Sequence, residues 1–90
     1  MTTNPLLQTL RLIETLSRFD ANAETLGRQL DASPATVKRY LVEARSLGAD
    51  ICSVRINGGW VYELRNAKAV MKRVNQWIDL EEKRDLTGGK

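Results

Sequence analysis

The chain has 90 residues, of which 42% are hydrophobic and 28% are charged. This length suffices for one small domain with one modest core. No apolar run approaches the roughly 20 residues that span a bilayer, so we expect no membrane partner. The formal net charge of +3 permits a polyanionic partner without requiring one.

The cysteine and histidine counts limit the chemistry. A single cysteine, Cys52, cannot form an internal disulfide, so we expect a protein that tolerates the reducing cytoplasm. Without histidine, the chain has no His-based general base, no Ser-His or Cys-His nucleophile and no structural zinc set. We therefore predict that it is not an enzyme and that it takes no metal and no cofactor.

Two amphipathic helices begin the chain. Asn4-Pro5 is a helix start, because Asn caps a helix and Pro fits the first helical position. Apolar residues at three- and four-residue spacing then predict a helix from about Pro5 to Arg18. Asn22 predicts the cap of a second, short helix over residues 23–30.

A Ser-Pro pair begins the third helix. Ser33 supplies a hydroxyl cap. Pro34 fits the first helical position, because the N–H that proline lacks would have no partner within the helix there. The helix is predicted over residues 34–47, and Gly48 provides a left-handed stop. About three residues separate the second and third helices, so the two helices must cross at a steep angle. The predicted inward stripe is Val37, Leu41, Ala44 and Leu47.

A β-hairpin and a fourth helix complete the predicted fold. Residues 51–56 and 60–64 are rich in β-branched and aromatic side chains, and the Asn57-Gly58-Gly59 turn between them tolerates positive φ. Asn66 predicts the cap of a helix over residues 66–82, followed by a flexible tail over 83–90. We expect a mostly α fold with a small β-hairpin: a winged helix-turn-helix over 1–65 plus an extra C-terminal helix.

An ordered set of residues carries a family resemblance over about residues 6–65. The set comprises Leu26 and Leu30 before the turn, the Ser33 start, Val37, Leu41, the Leu47-Gly48 stop, the Asp50-Ile51 strand entry and Tyr62-x-Leu64. Residues 32–64, ASPATVKRYLVEARSLGADICSVRINGGWVYEL, resemble the winged-helix domain of bacterial regulators such as the bifunctional biotin ligase/repressor and the DeoR-type and WYL-type regulators. This resemblance implies sequence-specific binding of double-stranded DNA.

The resemblance also limits the function that we expect. Those relatives carry a further ligand or catalytic domain, whereas this chain stops at residue 90. We therefore expect a small stand-alone transcriptional regulator of prokaryotic or phage type, without ligase or effector-sensing activity.

The outward face of the third helix supplies the predicted base contacts, because a recognition helix presents its N-terminal residues to the major groove. Arg39 suits bidentate bonding to guanine, and Ala35 or the Thr36 methyl suits a thymine methyl. The outward face holds Ala35, Lys38, Arg39, Val42 and Ser46, flanked by Thr36 and Glu43 on one side and Arg45 on the other. The alternative is that these charges form only a solvated face.

Other predicted DNA contacts come from the helix start and the hairpin. Ser33 and the helix amino terminus suit a phosphate, and Arg55 suits a narrow minor groove or adjacent phosphates. Against the hairpin contact, a Gly-Gly turn needs no ligand to explain it. The complete predicted DNA-binding set is Ser33, Ala35, Thr36, Lys38, Arg39, Arg45, Arg55, Asn57 and Gly58.

The fourth helix allows two interpretations. Its apolar stripe either packs back on the first helix or forms a two-fold dimer contact. We predict a homodimer with an interface of Val70, Val74, Trp77 and Ile78. The alternative function is a winged-helix protein–protein interaction module that docks through Trp77 and the hairpin without reading DNA, which an exposed apolar patch near Trp77 would favour.

Overall fold

The computed structural model describes residues 4–88, and the side chains of residues 4–83. The elements are α1 (Pro5–Arg18), α2 (Ala23–Leu30), α3 (Pro34–Ser46), β1 (Ile51–Ile56), β2 (Gly59–Leu64) and α4 (Ala67–Gly88). The predicted fold class is confirmed: the chain is mostly helical, with one two-stranded antiparallel hairpin between α3 and α4. Within the described range, no helix is both long and apolar enough to cross a membrane.

Side-chain caps begin α1, α2 and α3 at the predicted residues. The Asn4 and Asn22 carboxamides and the Ser33 hydroxyl each accept a hydrogen bond from the amide three residues further on. Proline occupies the first turn of α1 and of α3, where its missing N–H leaves no bond unmade. These local signals are strong enough that α1 and α2 have the predicted bounds.

The start of α4 differs from the prediction because the Asn66 side chain does not cap the helix. Its Nδ2 donates to the Gly48 carbonyl oxygen at 2.8 Å, and its Oδ1 accepts from the Asp50 amide at 2.9 Å. Asn66 contributes to the helix only through its backbone carbonyl oxygen, which accepts a hydrogen bond from the Val70 amide at 3.0 Å. The side chain thus connects the start of α4 to the link between α3 and β1.

The end of α4 also differs from the prediction. The helix continues to Gly88 rather than ending at residue 82. The sequence from 83 to 87 contains no glycine or proline to stop it, and Asp79 pairs with Lys83 one turn along. The predicted tail is therefore helical as far as residue 88, and its residues 89 and 90 lie outside the described residues.

One core joins the four helices to the base of the hairpin. α1 is central, because it packs against α3, α4 and β2. Two backbone hydrogen bonds between Ala21 and Tyr62, at 3.3 and 2.8 Å, add the α1–α2 connection to the open edge of β2. No local sequence pattern predicts this single-residue bridge. The buried apolar side chains of the helices are Leu10, Leu12, Ile13, Leu16, Leu26, Leu30, Val37, Leu41, Ala44, Val70, Val74 and Ile78.

The predicted dimer interface lies largely inside this core. Val70 and Val74 are 0% exposed and Ile78 is buried, because α4 packs along α1 of the same chain. Trp77 is half-buried and packs against the same cluster. The structure therefore corrects the predicted interface at Val70, Val74 and Ile78, whose side chains already have partners within one chain, whereas Trp77 keeps partly exposed surface.

The hairpin has a buried base and an exposed tip. Ile51 pairs with Leu64 at the base, and both side chains are buried. At the tip, Asn57 and Gly58 have φ of 50° and 79°, the pair of positive values that a two-residue turn between twisted strands requires. This confirms the predicted turn, although β2 begins one residue earlier than predicted, at Gly59.

Candidate nucleic-acid interface

A close contact sets the crossing of α2 and α3. The Ala32 amide donates to the Gly27 carbonyl oxygen at 2.8 Å, and Asp31 takes a left-handed conformation with φ of 53°. A Cβ on Gly27 would lie 2.6 Å from the Ala32 carbonyl oxygen, far inside normal contact. Glycine therefore allows the turn to lie against α2. The sequence analysis missed this role, although a glycine inside a short helix was a signal for close packing.

α3 is buried on one side and open on the other, as its periodicity predicts. Val37, Leu41 and Ala44 lie in the core. The exposed residues directly opposite, at spacings of four, three and four, are Ala35, Arg39, Val42 and Ser46. We call these four residues the outer stripe. They form one continuous row along the helix.

Two cations border the outer stripe on one side. At 100° per residue, Lys38 and Arg45 lie on this flank about two turns apart, while Thr36 and Glu43 lie on the other. Lys38 and Arg45 are both exposed. The Arg45 Nε donates to the Ile51 carbonyl oxygen at 3.2 Å, which connects the last turn of α3 to the first residue of β1.

The start of α3 has fewer groups for a ligand than the sequence predicted. The Ser33 hydroxyl accepts from the Thr36 amide at 3.3 Å and donates to the Thr36 hydroxyl at 3.0 Å. Pro34 has no N–H, so the Ala35 amide is the donor that this turn leaves without a partner among the described residues. A phosphate at this end would therefore meet the Ala35 amide rather than the Ser33 side chain.

The ion pairs lie away from α3. Among the described residues, no carboxylate is within ion-pair distance of Lys38, Arg39 or Arg45, and the same holds for Lys68, Lys72 and Arg73 on α4. The paired cations are Arg11, Arg18, Arg28, Arg65 and Lys83. In the Arg65 pair, the hydrogen bond to Glu63 raises the pKa of the guanidinium. The positive charge of α3 is therefore not neutralised internally.

The hairpin tip carries the remaining predicted contacts. Residues 55–60 are all exposed, and Arg55 lies opposite Trp60 in the strand register. The Arg55 guanidinium carbon is 5.9 Å from the centroid of the Trp60 ring, at the limit of a cation–π contact. The Arg55 charge therefore lies near the end of the hairpin, close to the Asn57-Gly58 turn.

Two side chains hold the hairpin relative to α3. Arg45 bonds to the first residue of β1, and Asn66 bonds to both ends of the turn that leads into β1. Gly48 in that turn has φ of 106°, which confirms the predicted left-handed stop. These bonds connect the C-terminal end of α3 and the start of α4 to the base of the hairpin. Asn66 is a positioning residue that the sequence analysis assigned to a different role.

A groove separates the outer stripe from α1. It has a volume of about 430 Å³, and it is lined by Pro5, Leu6, Thr9, Arg39, Tyr40, Val42 and Glu43. Leu6 and Val42 contribute exposed apolar surface to it, and Arg39 and Glu43 contribute opposite charges. The exposed face of α3 is thus mixed in character rather than purely basic.

Comparison with known proteins gives no match: no protein-family model, curated protein or solved structure matches the chain. The function is therefore inferred from the geometry of the described residues. These residues present an exposed helix whose cations have no ion-pair partner among the described residues, followed by a hairpin with a cation near its tip. Such a surface suits a polyanion with a groove wide enough for a helix.

Proposed function

We propose that the chain binds double-stranded DNA sequence-specifically, as a small cytoplasmic transcriptional regulator of prokaryotic or phage type. α3 enters the major groove, and the hairpin contacts the adjacent groove or backbone. The observation that carries the proposal is the outward face of α3, where Lys38, Arg39 and Arg45 are exposed and have no carboxylate partner among the described residues. The resemblance of residues 6–65 to winged-helix regulators supports the same function.

The roles of the α3 residues follow from their positions. Arg39 lies in the outer stripe and bonds to the O6 and N7 of a guanine, the commonest specific contact in the major groove. Ala35, one turn earlier, lets the backbone approach the bases closely. Lys38 and Arg45 lie on one flank, where they neutralise phosphates and set the register without selecting a sequence.

The hairpin tip supplies a second point of contact. Arg55 is exposed beside the Trp60 ring, and an arginine suits a narrow, electronegative groove or a phosphate. The positive φ values at Asn57 and Gly58 keep the turn compact, which lets backbone and carboxamide groups come close to the sugar–phosphate chain. Arg45 and Asn66 connect the base of the hairpin to the end of α3, so one duplex can meet both the helix and the hairpin.

Selection of bound sites from random duplex DNA tests the proposal. Wild-type protein should enrich a defined sequence, and an inverted repeat in that sequence would indicate that two copies bind. Arg39→Ala should lose the preference at one base position. Arg18→Ala is the matched control, because Arg18 is exposed but pairs with Glu14 on α1. If no sequence is enriched above the starting pool, the protein does not read DNA.

A protein-docking module is the second candidate, and the hairpin is the observation that favours it. Val54, Ile56 and Val61 share the face that points away from the core, and Ile56 is 44% exposed. Trp60 is 61% exposed on the other face of the hairpin. Trp77, by contrast, is half-buried and offers no such patch. For such a module, selection enriches nothing, and substitution of Arg39 changes no binding property.

A further inference from the structure

Val42 stands out on the surface predicted to meet DNA. It is 62% exposed and lies in the middle of the outer stripe, between Arg39 and Ser46. Helix propensity does not explain a valine there, because an exposed helix position favours straight-chain residues over β-branched ones. A single exposed apolar residue is ordinary. An apolar residue next to the proposed guanine reader is more informative.

The position of Val42 sets which base it meets. The α-helix rises about 1.5 Å per residue, so the Arg39 and Val42 Cα atoms are separated by about 4.5 Å along the axis. Stacked bases are about 3.4 Å apart along each strand. Around the axis the two residues differ by only about 60°, so both point into the same groove. Val42 therefore lies over the base pair one or two steps from the guanine.

The chemistry of the major groove leaves one suitable apolar target. The C5-methyl of thymine is the only apolar group that a base presents there among the four standard bases. In a helix, valine has one strongly preferred rotamer, so its two methyl groups have a fixed direction before binding. A preorganised apolar group loses little entropy on contact.

We propose that Val42 contacts a thymine methyl one or two base pairs from the guanine bound by Arg39, so that the preferred site contains both bases at that spacing. This inference rests on the proposed function and extends it from binding DNA to part of the sequence that is read. Ala35 and Ser46, the small ends of the outer stripe, leave room for the helix to approach that base.

The experiment replaces individual thymines with deoxyuridine in the 20-base-pair duplex obtained by selection. Deoxyuridine keeps the base-pairing edge and removes only the methyl group. Wild-type affinity should fall about fourfold at one thymine, since a buried methyl contributes about 0.8 kcal/mol. Val42→Ala should bind the thymine and deoxyuridine duplexes equally. A thymine outside the selected site serves as the DNA control.

Leu80→Ala is the matched protein control, because Leu80 is 60% exposed on α4, away from α3. It should retain the full response to deoxyuridine. Thermal unfolding of Val42→Ala checks the fold, and alanine at an exposed helix position should not lower its stability.

The outcomes separate this inference from the proposed function. If duplex DNA is bound with salt dependence but every deoxyuridine substitution is silent, the Val42 contact is wrong and the DNA function stands. If deoxyuridine lowers the affinity of wild type and of Val42→Ala equally, the Val42 contact is also wrong. If Val42→Ala leaves DNA affinity unchanged, the valine and its groove belong to a partner other than DNA. If no duplex is bound at all, the proposed function fails first.

Discussion

The carbonyl oxygen of Ala32 lies 2.6 Å from the position that a Cβ on Gly27 would take. Any other residue at 27 must therefore push the α2–α3 turn away from α2. We predict that Gly27→Ala destabilises the fold by about 1–3 kcal/mol, despite the gain in helix propensity that alanine brings. Urea unfolding followed by circular dichroism measures this difference.

Gly59→Ala provides the comparison, because the nearest atom to a Cβ there is 3.7 Å away. Its stability should be close to that of wild type. If Gly27→Ala is as stable as wild type, the turn is not held in the close contact described above.

Asn66 is predicted to matter through its side chain rather than as a helix cap. Asn66→Ala removes the bonds to the Gly48 carbonyl and the Asp50 amide, which we expect to lower stability by about 1–3 kcal/mol. DNA affinity should fall as well, because the hairpin loses its fixed position relative to α3. Asn75→Ala, at an exposed site on α4, should change neither quantity.

Asn66 shows where sequence patterns stop being informative. An asparagine just before an amphipathic stretch matches a cap, and that pattern is correct for Asn4 and Asn22. At Asn66 the same residue has a backbone turn within reach, 18 residues earlier in the chain, and its side chain bonds there instead. Nothing in the local sequence distinguishes the two cases, because the competing partner is brought close only by the fold.

The bounds of α1 and α2, the turn conformation and the buried face of α3 could be predicted because they depend on neighbours within about four residues. The packing partner of an apolar stripe could not be predicted. Val70 and Val74 have the spacing of a helix interface, but spacing does not tell whether the partner helix is in the same chain or in another. The bridge between Ala21 and Tyr62 could not be predicted either, since it links backbone groups rather than side chains.

Val74→Ala should therefore destabilise one chain rather than weaken an assembly. Loss of two buried methyl groups at a fully buried site should lower the free energy of unfolding by about 2 kcal/mol. We expect the same decrease in thermal midpoint at every protein concentration tested. A decrease that grows on dilution would instead indicate an interface between copies. Leu80→Ala, at an exposed site on the same helix, should leave the midpoint unchanged.

Substitution of Arg39 and substitution of Arg45 should weaken DNA binding in different ways. Arg39→Ala should weaken binding to the selected site by about 1–3 kcal/mol and relax one base position. Arg45→Ala should weaken binding to all sequences alike, with a salt slope shallower by about one. Competition assays with selected and random duplexes measure both effects. If both variants lower the affinity for selected and for random duplexes by the same factor, α3 does not read the sequence.

Arg45→Lys separates charge from position. Lysine restores the positive charge and therefore the salt slope, but it cannot reproduce the bond from Arg45 Nε to the Ile51 carbonyl. Retention of the wild-type slope with slightly lower stability is the expected result.

The salt dependence of duplex binding tests the central claim most directly. If Lys38, Arg45, Arg55 and a few backbone amides meet about four to six phosphates per subunit, log affinity should fall with log salt at a slope of about −4 to −5. Combined replacement of Lys38, Arg45 and Arg55 by alanine should make the slope shallower by about three, whereas Arg18→Ala should not change it. A wild-type slope near zero, or no binding at about 50 mM salt, would contradict the proposed DNA interface.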